Sequence, residues 1–422
     1  MEIIERTSLI IKELLRDHKN YFELITGYEK KEGFSAQDRT KMIQLVGAFL
    51  RNYYFISCIE KFVFDSKNID VLIRVGLYYV NNAYVKAVSG EEAYESLNKF
   101  LNSIGKDLSS IQTTVLNDIC KQKRQYYFSN LTKGSFKYFS VKFNLPEWFI
   151  KMMVKHYGKD VGLQTCREIS KMPNQYAIIN QFKVLNDEAK KHLSDFKDLG
   201  DGVYEYNEKV SLRKNYLIKE KYFFQIQLGF ADFLKQLPAL DHSELTIYLG
   251  SKNNMYFSLL GKYAKDGNNI SIITKHLYEN YDLLTKIKEY RIKGVHFYEA
   301  EESGLDPIIS KPQDLLVYSP KSSELENLRI EPDYSLFFDV NSLDSIIENE
   351  LQGLENVSKF VKEDGLLIYY VKTLGKKETS QLIEEFLSKH PEFELTNEKQ
   401  YFPYERENSV LYYACLRKKA ND

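Results

Sequence analysis

Cysteine is scarce in this sequence: Cys58, Cys120, Cys166 and Cys415 are far apart, and no CxxC pair occurs. That excludes a disulfide framework or a zinc ribbon and points to reduced thiols. The seven histidines are as dispersed, without HExxH or a similar ligand spacing, so no metal is expected. There is no run of about 18 apolar residues, the length a membrane helix needs. The opening stretch MEIIERTSLIIKELLRDHK is charged throughout. Neither a membrane span nor a signal peptide is therefore expected, no membrane partner is implied, and the cytoplasm is the expected compartment. Overall charge is missing too. A net −1 excludes a uniformly basic or acidic chain, and 43% hydrophobic with 28% charged residues is an ordinary globular balance. At 422 residues, two or three domains with proper cores are possible.

What is present is organised around Glu244–Lys275, ELTIYLGSKNNMYFSLLGKYAKDGNNISIITK. Leu245–Leu249 reads as a strand, Gly250–Asn254 as a turn, Met255–Ala264 as a helix and Ile270–Thr274 as a second strand. In a nucleotide-binding βαβ unit, glycines let the first loop approach the ligand. An acid after the second strand then holds the ribose hydroxyls. Here that loop has one glycine, Gly250, and the residue after the second strand is the cation Lys275. The frame of the unit is kept without its chemistry.

The first ~120 residues read as a helical bundle with short connections. Helices are expected over Ile3–His18, from Ser35-Ala-Gln-Asp38 through Lys41–Phe62, and over Ile69–Tyr84, Gly90–Leu101 and Ser109–Lys121. From Lys121 to Lys159 the charge changes character. Lys121, Lys123, Arg124, Lys133, Lys137, Lys142, Lys151, Lys155 and Lys159 face a single acid, Glu147, so the rest of the chain sums to −9. Tyr126, Tyr127, Phe128, Phe136, Tyr138, Phe139, Phe143, Trp148, Phe149 and Tyr157 lie among these cations. Cations for phosphates beside aromatic faces for unstacked bases make an RNA-binding composition. Pro146 opens a helix over Glu147–Tyr157, and another is expected over Asp160–Lys171. Short strands around Tyr176–Asn180, with a helix at Asn186–Leu199, suggest a small α+β insert. From Tyr222 onward, alternating β and α segments imply a doubly wound sheet.

This order of parts resembles the bacterial 16S rRNA cytosine-5 methyltransferases of the Fmu/Sun (RsmB) type, within the wider Nop2/Sun family. Leu45–Arg51 (LVGAFLR), Ile69–Tyr79 (IDVLIRVGLYY) and Gln112–Asn117 (QTTVLN) are similar to segments of that family's NusB-like domain. Pro146, Trp148, Tyr157 and Gly158 match its PxW…YG linker, and Asn180 matches the asparagine of its RVN, with Ile178 in place of the arginine. Asn408–Lys418 (NSVLYYACLRK) resembles its closing strand. The resemblance implies an α/β multidomain chain: an all-α NusB-like bundle over 1–128, linker helices with a small α+β (RRM-like) subdomain over 129–220, and a Rossmann-like class I methyltransferase fold over 221–422. It also implies S-adenosylmethionine as cofactor and ribosomal RNA as partner; the basic stretch offers Lys121, Lys123, Arg124, Lys133, Lys137, Lys151 and Lys155 as RNA-facing residues, and the motif match adds Asn180.

The catalytic motifs depart from the family. Its cofactor loop, LDxCAAPGGKT, falls on Ile247–Phe257, IYLGSKNNMYF. Tyr248 stands for the aspartate, and Asn253, Asn254, Met255 and Tyr256 stand for the proline, both glycines and the lysine. The ribose acid becomes Lys275. DAPCS falls on Asp339–Leu343, keeping Asp339 and putting Ser342 at the cysteine, and the cysteine of YATCS falls on Lys372. Gly250 and Asp339 are all that remain for a cofactor. Cytosine C5 is too weak a nucleophile until a thiolate adds at C6, and neither serine nor protonated lysine supplies one. The sequence therefore reads as an rRNA-binding pseudoenzyme, an assembly or stability factor for ribosome biogenesis. A divergent but active methyltransferase and a NusB-like protein-interaction scaffold stay open as alternatives.

Overall fold

The computed structural model describes every residue except 1, 2, 123, 125, 126, 129, 172, 173, 209, 210, 251–255, 265, 266, 277, 279, 280, 408, 421 and 422. The chain forms two compact units, Met1–Ser170 with Asn327–Phe338, and Lys171–Glu326 with Asp339–Asp422.

The first unit is helical. It contains α1 (Ile3–Asp17), α2 (Tyr21–Glu32), α3 (Ala36–Leu50), α4 (Tyr53–Phe64), α5 (Ile69–Val80), α6 (Gly90–Ser103), α7 (Ser110–Lys121), α8 (Phe136–Phe143), α9 (Glu147–Tyr157) and α10 (Lys159–Ile169). Side chains of Asn20, Ser35, Asn68, Ser89, Ser109 and Ser135 accept backbone N–H bonds at the starts of α2, α3, α5, α6, α7 and α8. Around α5, whose Val71, Val75 and Leu77 are fully buried, the core gathers Ile10, Ile11, Val46, Phe49 and Phe55.

The single helix expected over Lys41–Phe62 is two helices broken at Arg51–Asn52. Asn52 Nδ2 donates to the Ala48 carbonyl at 2.7 Å, competing with the backbone ladder. The start of α4 is capped from 90 residues away: Asn144 Oδ1 accepts Tyr54 N at 2.9 Å and Phe55 N at 3.4 Å. Asn144 itself ends α8 at φ 53°, a left-handed conformation that asparagine tolerates. Asn144→Ala should therefore destabilise the helical unit by about 1–2 kcal/mol, as loss of a cap does. Asn144→Asp, which keeps the acceptor, should recover most of it. Equal thermal midpoints for the two variants would refute the capping role. No single described helix is long and apolar enough to cross a membrane; α3 and α4 pass that test only as a pair bent by 75°.

The second unit holds two sheets. β1 (Gln175–Ile179), α11 (Asp187–Lys191), β2 (Phe196–Gly200), β3 (Val203–Tyr206), α12 (Tyr216–Lys219) and β4 (Phe223–Ile226) build an antiparallel sheet of order β2-β3-β1-β4. The helix expected over Asn186–Leu199 stops at Lys191 because the chain from Phe196 pairs with β3 instead. Tertiary pairing overrides local helix preference there. Next come α13 (Leu228–Gln236), β5 (Glu244–Leu249), α14 (Tyr256–Tyr263), β6 (Asn269–Thr274), α15 (Tyr281–Glu289), β7 (Val295–Glu299) and β8 (Gln313–Ser319).

After β8 the chain enters the helical unit as α16 (Asn327–Ile330) and α17 (Tyr334–Phe337). This strap is held by Arg51, which donates to the carbonyls of Arg329 (3.2 Å) and Ile330 (3.3 Å), and by Tyr54, which donates to that of Ser335 (3.1 Å). Phe337 stacks on His18 at 4.6 Å and packs with Leu336 against the helical core. The chain then returns as α18 (Leu343–Ser358), β9 (Val361–Val371), α19 (Ser380–Lys389), β10 (Phe393–Tyr401) and β11 (Leu411–Lys418).

The large sheet has the order β10-β11-β9-β8-β5-β6-β7, with β5 through β9 parallel and β11 antiparallel. Both faces are buried. Ile247, Ile272, Val317 and Ile368 point to one core, and Tyr248, Ile273, Tyr318 and Tyr369 to the other. That explains the near-continuous apolar strands.

Candidate functional site

In an open parallel sheet, ligands bind beyond the carboxyl ends of the strands where the winding reverses. Here the reversal lies between β5 and β8, and the ends nearby present Gly250, Lys275, Ser319–Ser322 and Lys372. Gly250 donates its N–H to the Ser319 carbonyl at 2.7 Å, and a Cβ on it would collide with the Pro320–Lys321 backbone. Its glycine is used for chain-to-chain approach. Tyr248, at the position of the family's aspartate, is fully buried, with its ring 5.6 Å from Tyr318 and its hydroxyl 3.3 Å from the Ala300 carbonyl. Lys275 pairs with Glu301 at 3.1 Å. Asn253, Asn254 and Met255 lie outside the described residues, as does the side chain of Tyr256.

At the end of β9, the Lys372 ammonium meets the Glu326 carboxylate at 2.8 Å. Gln227 donates to the other Glu326 oxygen and accepts from Val410 N at 2.9 Å, so the pair is fixed from the start of α13. Burial lifts Glu326 above the ordinary carboxyl range, against the pull of Lys372. Burial alone would lower Lys372, but the Glu326 charge outweighs it and holds the ammonium above its ordinary value. Lys372 is thus a cation without a free electron pair. Below it, Glu378 joins the loops after β8 and β9, accepting from Ser323 N (2.7 Å), Ser323 Oγ (2.7 Å) and Thr373 Oγ1 (3.0 Å).

Asp339 and Ser342, which the motif resemblance marked, are not at a strand end. They form an exposed turn before α18, where Asp339 Oδ1 accepts from Asn341 N (3.0 Å) and Ser342 Oγ donates to the Asp339 carbonyl (2.6 Å). The strap separates the end of β8 from α18, so this turn lies some twenty residues beyond the strand. β8 ends at Ser319, with Tyr318 in register with both Tyr248 and Tyr369.

The cysteines are elsewhere. Cys415 is buried in β11 opposite Ile368, its thiol pushed up by burial to about 11. Burial pushes Cys120 and Cys166 to about 12 and also raises Cys58.

The expected RNA-facing residues divide in two. Lys121, Lys133, Lys137, Lys151 and Lys155 are exposed on the helical unit. Arg124 is turned inward, its guanidinium 4.4 Å from the centre of the Phe55 ring, and Nε and Nη2 have no hydrogen-bond partner among the described residues. Asn180 is 2% exposed; it donates to the Lys221 carbonyl at 2.8 Å and accepts from Phe182 N at 3.0 Å, which makes it a loop staple. Lys123 lies outside the described residues. Charge counts along the chain carried no signal for this inward turn. Sequence reasoning also passed over Glu326 and Gln227, which meet at the end of β9 only through the sheet.

No protein-family model matches the chain. It is 22% identical over 399 residues to the "Probable ribosomal RNA small subunit methyltransferase B" of Bacillus subtilis, covering 88% of this chain and 85% of that protein. The crystal structure of PH0851 matches with a TM-score of 0.72 at 14% identity, over 99% of both chains. A methyltransferase homolog protein from Pyrococcus horikoshii matches with 0.56 at 12% identity, over 68% of this chain and 100% of that one. NSun6 from Pyrococcus horikoshii, in a structure with SFG, matches with 0.54 at 11% identity, over 65% and 99%. The resemblance read from the motifs is thus borne out: the chain is similar along most of its length to a ribosomal RNA small subunit methyltransferase B, and its sheet-bearing unit has the class I methyltransferase fold.

Proposed function

We propose that the protein is an RNA-binding relative of the rRNA cytosine-5 methyltransferases in which methyl transfer has been lost. The observation that carries this reading is the Lys372–Glu326 ion pair, fixed by Gln227, at the strand end where the resemblance implies the attacking thiol. The strand ends support a revised placement of the other cysteine motif. DAPCS belongs on Tyr318-Ser319-Pro320-Lys321-Ser322, directly at the end of β8, with the proline and final serine kept. Both cysteine positions then hold lysines, Lys321 and Lys372, and both aspartate positions hold buried tyrosines, Tyr248 and Tyr318.

S-adenosylmethionine, the cofactor implied by the fold, does not suit the described residues. A ribose needs an acceptor after β6, and Lys275 offers an ammonium already engaged by Glu301. The side of Gly250 that lacks a Cβ faces the Pro320–Lys321 backbone, so that side is closed to a ligand. What persists is a helical unit, read as NusB-like, with exposed lysines that suit an RNA backbone. An assembly or stability role on ribosomal RNA follows from that combination.

Calorimetric titration with S-adenosylmethionine tests the reading. No binding heat is expected up to about 1 mM, the weak end of useful affinity. Micromolar binding would overturn it in favour of an active, divergent methyltransferase.

A further inference from the structure

The aromatic residues of the basic stretch are nearly all committed to packing. Tyr127, Phe128, Phe143 and Phe149 are buried, and Phe139 stacks on Phe143 at 5.8 Å. Tyr138 meets Phe128 edge-on at 5.3 Å, and Trp148 is covered by Phe338 of the strap at 5.4 Å. Phe136 differs: it is 38% exposed at the first turn of α8, just after the Ser135 cap. Lys133 and Lys137 flank it in sequence, and the Lys151 ammonium from α9 lies 5.7 Å from its ring centre. Lys151 and Lys155 follow Glu147 at four-residue spacing, which sets them along one face of α9, and both are exposed. Glu147 is the one acid there; it holds Lys137 at 4.0 Å and Lys151 at 3.5 Å, so the two ammonium groups are gathered beside the ring.

We infer that this α8–α9 face binds unpaired RNA, with a base stacked on Phe136 and the adjoining phosphates held by Lys133, Lys137, Lys151 and Lys155. The inference rests on the RNA-binding reading and adds to it the class of RNA and the stacking residue. In a duplex each base face is already covered by its neighbours, so an aromatic ring adds nothing there. In a loop or single strand the ring gains a stacking partner whatever the base. Lysines without a bidentate fork fit the phosphate backbone as point charges and leave sequence unread.

The full chain can be titrated against a labelled oligouridylate of about 12 nucleotides, near the site size of one module, and against an RNA duplex of matching length. Phe136→Ala should weaken oligouridylate binding about tenfold or more while leaving duplex binding and the salt dependence unchanged, and Phe136→Tyr should retain affinity. Lys151→Ala with Lys155→Ala should flatten the salt slope on the single strand by up to about 1.4. A thermal midpoint matching the parent confirms that each variant is folded. If Phe136→Ala binds the single strand as well as the parent does, or loses single strand and duplex alike, the inference is overturned while RNA binding stands. If the parent chain binds neither RNA, the RNA-binding reading itself is overturned.

Discussion

Lys372→Met should cost the sheet-bearing unit about 3 kcal/mol, because Glu326 would keep its buried carboxylate and lose its counter-ion. Glu326→Leu alone should cost less, because the Lys372 side chain is 27% exposed and can turn its ammonium toward water. The double variant should recover most of the loss, since well-packed apolar residues commonly replace a buried ion pair at little cost. Urea midpoints of that unit's transition give all four corners of the cycle, and additive losses would show that the two groups are not coupled. The same geometry bears on restoring the family nucleophile. Lys372→Cys would set a thiol beside the uncompensated Glu326 carboxylate, which opposes thiolate formation. No covalent adduct with 5-fluorocytosine RNA is expected from that variant, with or without cofactor. A robust, cofactor-dependent adduct would mean that the cofactor pocket is intact.

Glu350→Gln is expected to stabilise the protein at alkaline pH. Glu350, on α18, is 1% exposed, and neither carboxyl oxygen has a hydrogen-bond partner among the described residues. Burial, reinforced by the charge of Glu378, holds its carboxyl well above the ordinary range. The nearest strand face is crowded by tyrosines: the Tyr369 hydroxyl already donates to the Glu378 carbonyl at 2.9 Å, and the Tyr318 hydroxyl fits against Gly353, where any Cβ would collide with it. A folded pKa above the unfolded value of about 4.3 means that the folded state binds the extra proton. The stability tied to Glu350 is therefore whole below about pH 4 and is lost as pH rises toward the folded value. The glutamine variant, which does not titrate, should lose less stability as pH rises above about 4, and its advantage over the parent should widen toward alkaline pH. Some slope should remain from Glu378 and Glu326, which burial also raises. Parallel pH profiles for parent and variant would show that Glu350 is not buried in its charged form.

Legibility in the sequence followed the range of the interactions involved. The helices α1, α7 and α9 and the central β5–α14–β6 unit were readable to within a residue or two, because caps, turns and apolar spacing are local signals. The break between α3 and α4 was not, since the cap on α4 comes from Asn144. Nor was β2, whose identity depends on pairing with β3. At the site, Lys372 could be placed from the end of β9, but the Asp339 motif could not. Only the sheet shows that β8 stops at Ser319 and that the strap comes between. Arg124 and Asn180 misled for a related reason: a residue's charge or motif match says nothing about the direction in which it faces.

The strap also sets an order of events during synthesis. Arg51 and its acceptor on Arg329 are separated by 278 positions, and Leu336 and Phe337 complete a core begun by α1 and α3. A nascent chain that has just released Ser170 from the ribosome carries the bundle with the seat for Phe337 still open. Closing it waits for more than 150 further residues, about 8–30 s at ordinary elongation rates. During that interval the apolar seat is exposed to chaperones and to other chains, and Arg51 and Tyr54 lack their carbonyl acceptors on the strap.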